Sequence, residues 1–173
     1  QVVQCHRGLR PDGLFLAGCF GGQTLTELRA ALSVAETDLR GGLSPRVSPM
    51  AEIRELGTIL QRAGLALPVA DSLKIPTSYR DIFHLMQDLR AMGETNIMNA
   101  RAMRLTPRAL FAHAQKIYAA EYSDSEGRLT CTFELVFLSG WAPDASQPKP
   151  LKPGSVSKTL QQALNQVKSS SNN

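Results

Sequence analysis

Arg10-Pro11-Asp12-Gly13, then Leu14-Phe15-Leu16-Ala17-Gly18-Cys19-Phe20, then Gly21-Gly22: this stretch reads as a turn, a buried strand and a glycine loop. Directly afterwards Thr24-Leu25-Thr26-Glu27 offers a capping box, Thr24 accepting from the backbone at Glu27 while Glu27 reaches back, so a helix is expected to start there. A buried strand that empties through glycines into a helix N-terminus is the edge at which α/β proteins usually bind their ligands. The junction is therefore either a binding loop or a plain connection.

Working outward, residues 1–9 look like the last turns of a helix, which suggests that a larger domain continues upstream of Gln1. After the loop, Leu25, Leu28, Leu32, Ala35 and Leu39 recur in steps of three and four, one face of a helix that ends at Gly41-Gly42. Ser48 as N-cap and Pro49 at the first helical position predict a second helix with Ile53, Leu56, Leu60 and Ala63 inward and Gly64 as its stop. Val69 to Ile75 reads as an edge strand, because Pro68, Asp71 and Pro76 are tolerated only there. A third helix is expected from Tyr79 to Met92, burying Ile82, Phe83, Met86, Leu89 and Met92; Ile97 to Met103 suits a further turn or two. Thr106-Pro107 repeats the cap pattern and opens a helix to Tyr122 over Leu110, Phe111, Ala114, Ile117 and Tyr118.

Leu129 to Trp141 alternates at first and then becomes continuously apolar through Val136, Phe137 and Leu138, the pattern of a strand inside a sheet. Residues 1–141 thus form the expected domain part. Residues 142–173, rich in Pro, Ser, Lys and Gln, form an irregular arm with a short helix over Leu160 to Val167. Three strands are too few for a complete α/β sheet.

Composition narrows the function classes. With 43% hydrophobic and 20% charged residues the chain is that of a soluble globular protein. No apolar run approaches the roughly 18 to 20 residues that cross a bilayer. The net charge of +4 is spread thinly, with Lys149, Lys152, Lys158 and Lys168 in the tail as the one local enrichment, so the dense basic stripe of a nucleic-acid binder is absent. Cys5, Cys19 and Cys131 are odd in number and widely spaced, which argues for a reducing compartment and against a disulfide framework or a zinc site.

Catalytic patterns are scarce. His6, His84 and His113 lie far apart in sequence, His84 and His113 each on an expected helix without an acid or thiol at metal-ligand spacing, and Ser139-Gly140 lacks the preceding glycine of a nucleophile elbow. Glu94, Asp124 and Glu126 read as solvated loop carboxylates. Gly18, Gly21 and Gly22 give G-x-x-G-G, which is neither the dinucleotide fingerprint nor a P-loop. Backbone amides at the Thr24 helix start remain open to an anion, the glycines otherwise serving a tight strand exit or one wall of a pocket.

Five segments carry a resemblance. His6-Arg7-Gly8-Leu9-Arg10-Pro11-Asp12-Gly13-Leu14-Phe15-Leu16 is similar to the "R-x-L-x-P-G-G-x-L" segment that leads into the fifth strand of class I S-adenosylmethionine-dependent methyltransferases. Phe20-Gly21-Gly22 with Thr24-Leu25, Ser44-Pro45-Arg46-Val47-Ser48-Pro49, Leu89 to Asn96, and Gly140-Trp141-Ala142-Pro143 resemble one subgroup. That subgroup holds the mitochondrial complex I assembly factor 5 proteins and alphaproteobacterial relatives of the biotin-synthesis methyltransferase type.

The resemblance implies an α/β fold, the C-terminal half of a Rossmann-like sheet of order 3-2-1-4-5-7-6, with the last strand antiparallel between the fifth and sixth. It places the cofactor motifs for S-adenosylmethionine upstream of Gln1, so no cofactor-binding residue and no metal ligand is expected in this chain. Phe20, Gly21, Gly22, Arg46 and Asn96 are the candidate substrate-side residues, and no catalytic residue is assigned.

Three functions are implied: part of a complex I assembly factor that modifies an arginine of a complex I subunit; a small-molecule or carrier-protein methyltransferase; or a degenerate methyltransferase fold used as a docking module. The implied partners are the missing N-terminal half or another chain, complex I subunits or a second copy, and no nucleic acid. The implied location is the mitochondrial matrix, or the cytoplasm of a bacterium.

Overall fold

The computed structural model describes residues 1–148; the expected helix over Leu160 to Val167 and the tail lysines lie outside them. Residues Gln1–Pro143 form one compact unit. Its centre is strand β3 (Leu129–Trp141), flanked by β1 (Leu14–Phe20) and β2 (Ala66–Tyr79). The sheet order is β1-β3-β2, and β3 runs antiparallel to both neighbours. This is the inserted antiparallel strand that the resemblance led us to expect.

The opening turn is present, with Gly13 N–H donating to Arg10 O at 2.9 Å. Ala142 N–H continues the ladder past β3 by donating to Gly13 O at 2.8 Å. β2 is much longer than the predicted Val69 to Ile75. Pro68 falls where the register slips between Ala66 and Val69, and Pro76 lies in a strand that, among the described residues, is bonded on one side only, so neither ring interrupts the ladder to β3 beyond that slip.

The two faces of the sheet carry separate cores. On one, α1 (Val2–Gly8) and α3 (Ile53–Arg62) lay Val2, Ile53, Leu56 and Leu60 against Val136 and Leu138. On the other, α2 (Thr26–Arg40), α4 (Ile82–Ala91) and α5 (Arg108–Tyr122) pack on Leu129, Cys131 and Phe133. Leu32, Leu85, Leu110 and Tyr118 are buried there. Each such side chain contributes on the order of 1.5–3 kcal/mol by leaving water.

Helix starts are where local signals mislead. No capping box forms at α2: its N-cap is Leu25, in a left-handed conformation and without a side-chain bond. Thr24 and Glu27 are drawn to β3 instead. Thr24 Oγ1 donates to Glu134 O and accepts from Glu134 N–H, while Glu27 accepts from the backbone and hydroxyl of Thr132. Tertiary hydrogen bonds to the central strand have displaced the local ones.

α3 begins at Ile53 with Glu52 as N-cap, so Ser48 and Pro49 remain in an extended loop. In α5, Pro107 is itself the N-cap, and Thr106 accepts a hydrogen bond from Arg46 instead of capping. α4 starts at Ile82, its Asp81 cap accepting from Phe83 and His84 N–H; Phe83 and Met92, expected inward, are half exposed, as is Leu39 of α2. No helix forms over Ile97 to Met103.

β1 corrects the opening reading most. Its expected burial does not occur: among the described residues it pairs with β3 alone, and Leu16 is 70% exposed. Directly paired residues of an antiparallel sheet share a face. Leu14, Leu16, Phe137, Val69 and Leu73 therefore lie on one face, beyond the part that α2 and α5 cover, and all are exposed.

Candidate functional site

The glycine junction is sewn to β3 by its own backbone. Gly21 N–H donates to Glu134 O (2.8 Å), Thr24 N–H to Gly21 O (3.0 Å) and Leu25 N–H to Thr132 O (2.8 Å). Gln23 N–H donates to the Glu134 carboxylate at 2.9 Å. These are amides that an anion would need, and they are already engaged. A Cβ on Gly21 would fall within 3 Å of the Glu134 carboxyl, and one on Gly22 would meet that of Glu52. The glycines make room for two carboxylates of the protein itself, so the loop does not fit a phosphate or the carboxylate of a cofactor.

Arg46 and Asn96 meet elsewhere, at a cavity of about 320 Å³ between α2, α4, α5 and the loops before α3 and after α4. Leu25, Leu28, Leu32, Met86, Leu89 and Phe111 line its apolar part. Asn96 ties the two loops together: its Nδ2 donates to Pro45 O (2.7 Å) and Arg46 O (3.2 Å), and its Oδ1 accepts from Met98 N–H.

Arg46 is held as firmly, Nη2 donating to Glu36 at 2.7 Å and Nη1 to Thr106 Oγ1 at 2.8 Å. Glu36 is only 2% exposed. Burial pushes its carboxyl up, but donors from Arg46 and Ser44 outweigh that and hold it at about 2. Both residues therefore shape the wall before they can touch a ligand.

The five candidates do not converge. Phe20 packs on Phe133 with ring centroids 5.7 Å apart and lines a second, open cleft with Gly18, Cys19, Leu135 and Phe137. Gly21 and Gly22 are buried under the two carboxylates. Glu94, read as a solvated acid, lines both clefts.

Other ionisable groups fall into structural roles. His84 sits on its helix cap Asp81, whose carboxyl is held at about 2 chiefly by the hydrogen bond to the His84 side chain. His113 pairs with Asp38 at 2.8 Å. Burial pushes the Cys131 thiol up to about 12 and raises Cys19 as well, so neither is primed as a thiolate. Among the described residues no three His, Cys, Asp or Glu side chains are grouped to hold a metal, and no helix is long and apolar enough to cross a membrane.

Sequence reasoning passed over Glu36, Glu52 and Glu134. Glu36 stands beside Ala35 on the inward stripe of α2, and Glu134 falls where β3 stops alternating; an acid in such a place was the available signal.

No family model matches the sequence. The chain is 42% identical over 153 residues to arginine-hydroxylase NDUFAF5, mitochondrial, of Dictyostelium discoideum, covering 88% of this chain and 35% of that protein. It is 34% identical over 143 residues to malonyl-[acyl-carrier protein] O-methyltransferase of Xylella fastidiosa, covering 83% and 46%. The chain thus spans less than half the length of either curated relative. Among solved structures, the YcgJ protein of Bacillus subtilis aligns over 83% of this chain and 56% of its own, with a TM-score of 0.45 and 11% identity.

Proposed function

Because the chain belongs to the class I S-adenosylmethionine-dependent methyltransferase superfamily, we propose that it is the C-terminal portion of a methyltransferase-like protein acting in assembly of respiratory complex I, where the complete protein modifies an arginine of a complex I subunit. The observation that carries this reading is the 42% identity to a mitochondrial arginine-hydroxylase over nearly the whole chain but about a third of that relative. The complete domain uses S-adenosylmethionine, held by residues outside this chain. Its place is the mitochondrial matrix, or the cytoplasm if the source is bacterial.

The geometry supports a partner for the sheet. Among the described residues β1 pairs on one side only, and the apolar face of Leu14, Leu16, Val69, Leu73 and Phe137 is open to water. An unpaired strand edge beside an apolar face is a site of association unless something covers it. The partner that fits is the N-terminal half of the domain, which would pair its fourth strand with β1 and lay a helix over those side chains.

A second reading is a carrier-protein or small-molecule methyltransferase, favoured by the 34% identity to the malonyl carrier-protein enzyme. One pair of measurements tests both. Isothermal titration of S-adenosylmethionine should show no binding to the 173-residue chain and binding once the upstream half is joined; micromolar affinity of this chain alone would overturn the assignment. Mass spectrometry of complex I subunits from cells lacking and regaining the joined protein should show an arginine gaining one oxygen. A methyl ester formed on a carrier-bound carboxylate, with no arginine oxidised, would establish the second reading instead.

A further inference from the structure

We propose that the 320 Å³ cavity beside Arg46 is a binding site for an amphipathic carboxylate, a ligand with an apolar body and an anionic head. The cavity lies in the size range of small-molecule sites and has their usual division of labour, an apolar lining with a few polar groups that fix orientation. It is built entirely from described residues of this chain and does not depend on the reading above.

The sign of the head follows from which charges are spent. Three arginines line the cavity, Arg46, Arg90 and Arg101. Arg46 is neutralised by Glu36 at 2.7 Å and donates its other terminal nitrogen to Thr106. Arg101 donates one nitrogen to the backbone carbonyl of Met98 at 2.8 Å. Among the ion pairs of the described residues, neither Arg90 nor Arg101 has a carboxylate partner. One acid, Glu94, shares the lining, so the lining holds two arginines without a carboxylate partner against one carboxylate. The balance favours an anion, and the planar guanidinium donor set suits a carboxylate.

The apolar body follows from the rest of the lining and from its rim. Leu28, Leu32 and Leu89 are buried in the core beneath the cavity, and Met86 and Phe111 pack against the same cluster. The loop that supplies Asn96, Arg101 and Ala102 also carries Ile97, Met103 and Leu105, which are 81%, 79% and 97% exposed. Large apolar side chains held in water beside an apolar cavity gain by covering a chain that emerges from it.

The test is isothermal titration of the 173-residue chain with three probes: octanoate, octanamide and malonate. Octanoate should bind, octanamide should bind roughly tenfold or more weakly because the charge-assisted hydrogen bonds are lost, and malonate should not bind, having no apolar body. Arg90→Gln and Arg101→Gln should each weaken octanoate several-fold and leave octanamide unchanged. Ala102→Phe, which fills the cavity, should abolish both. Octanamide binding as well as octanoate, malonate binding as well as octanoate, or octanoate affinity unchanged in both arginine variants would each overturn the proposal. The arginine variants keep it falsifiable if Ala102→Phe fails to fold, because Arg90 is exposed at the end of α4.

Discussion

Replacing Glu36 by Gln removes the anion on which the cavity wall is assembled. Its carboxyl is held at about 2 against an ordinary 4.5, so its ionised form is favoured by the fold. Converted at about 1.4 kcal/mol per unit, that difference is worth at most about 3.5 kcal/mol at neutral pH. The sign follows from the direction: a carboxyl whose pKa is depressed by folding stabilises fully above its unfolded value of 4.5 and loses that contribution as pH falls toward 2.

Glu36→Gln also leaves the Arg46 guanidinium without its counter-charge. The Arg46 side chain is 14% exposed, so water reaches it only in part. The expected loss at pH 7 is about 2–3 kcal/mol, below the range for breaking a fully buried pair. Urea unfolding followed by the fluorescence of the single tryptophan, Trp141, measures it. The gap between the unsubstituted chain and Glu36→Gln should be widest at pH 7 and close to under about 1 kcal/mol near pH 2. Because every other carboxyl titrates in both proteins, that gap isolates Glu36. A gap below about 0.5 kcal/mol at pH 7, or one that does not change with pH, would refute the reasoning.

Gly21→Ala should lower the melting temperature more than Gly22→Ala. The new methyl at 21 meets the buried Glu134 side chain, whereas the one at 22 meets the end of the exposed Glu52, which can swing away; differential scanning calorimetry showing equal effects would contradict this. The chain by itself should self-associate through β1 and its apolar face, and Leu16→Lys should reduce that association in analytical ultracentrifugation; a monodisperse monomer before substitution would refute the edge argument. Tyr118→Phe should cost about 1–2 kcal/mol in urea unfolding, because the buried hydroxyl donates to Thr130 O at 2.8 Å and its loss leaves that carbonyl without this donor. An unchanged unfolding midpoint would show that another donor replaces it.

The periodic signals were legible wherever burial repeats within one element. Leu28, Leu32 and Ala35 gave the face of α2, and the change from alternation to a continuous apolar run gave the full extent of β3, because the covered side of that strand changes from the face of Leu129, Cys131 and Phe133 to the face of Val136 and Leu138. The stops at Gly41, Gly64 and Gly93 were legible for a stronger reason: each adopts a positive φ, which a residue without a Cβ enters at little cost. Helix starts were not: Thr24 and Thr106 had the right side chains for local caps but bond elsewhere, and Ser48 stays in the loop because α3 begins only after Glu52. Thr24 exchanges two hydrogen bonds with Glu134, more than a hundred residues away.

The candidate site divides in the same way. The residues of the glycine junction could be singled out because their types and spacing are local properties, and Arg46 and Asn96 because they stand in segments that resemble a known subgroup. Which of them share a cavity could not, since that depends on α2, α4 and α5 packing on one face of β3. The sequence by itself determined a turn, a strand and a glycine exit at residues 10–22. Only the tertiary structure decided that the strand is an exposed edge and that the glycines accommodate Glu52 and Glu134. The reason is that an edge, a cavity and a buried charge are defined by what lies across from a residue, and the chain order does not contain that information.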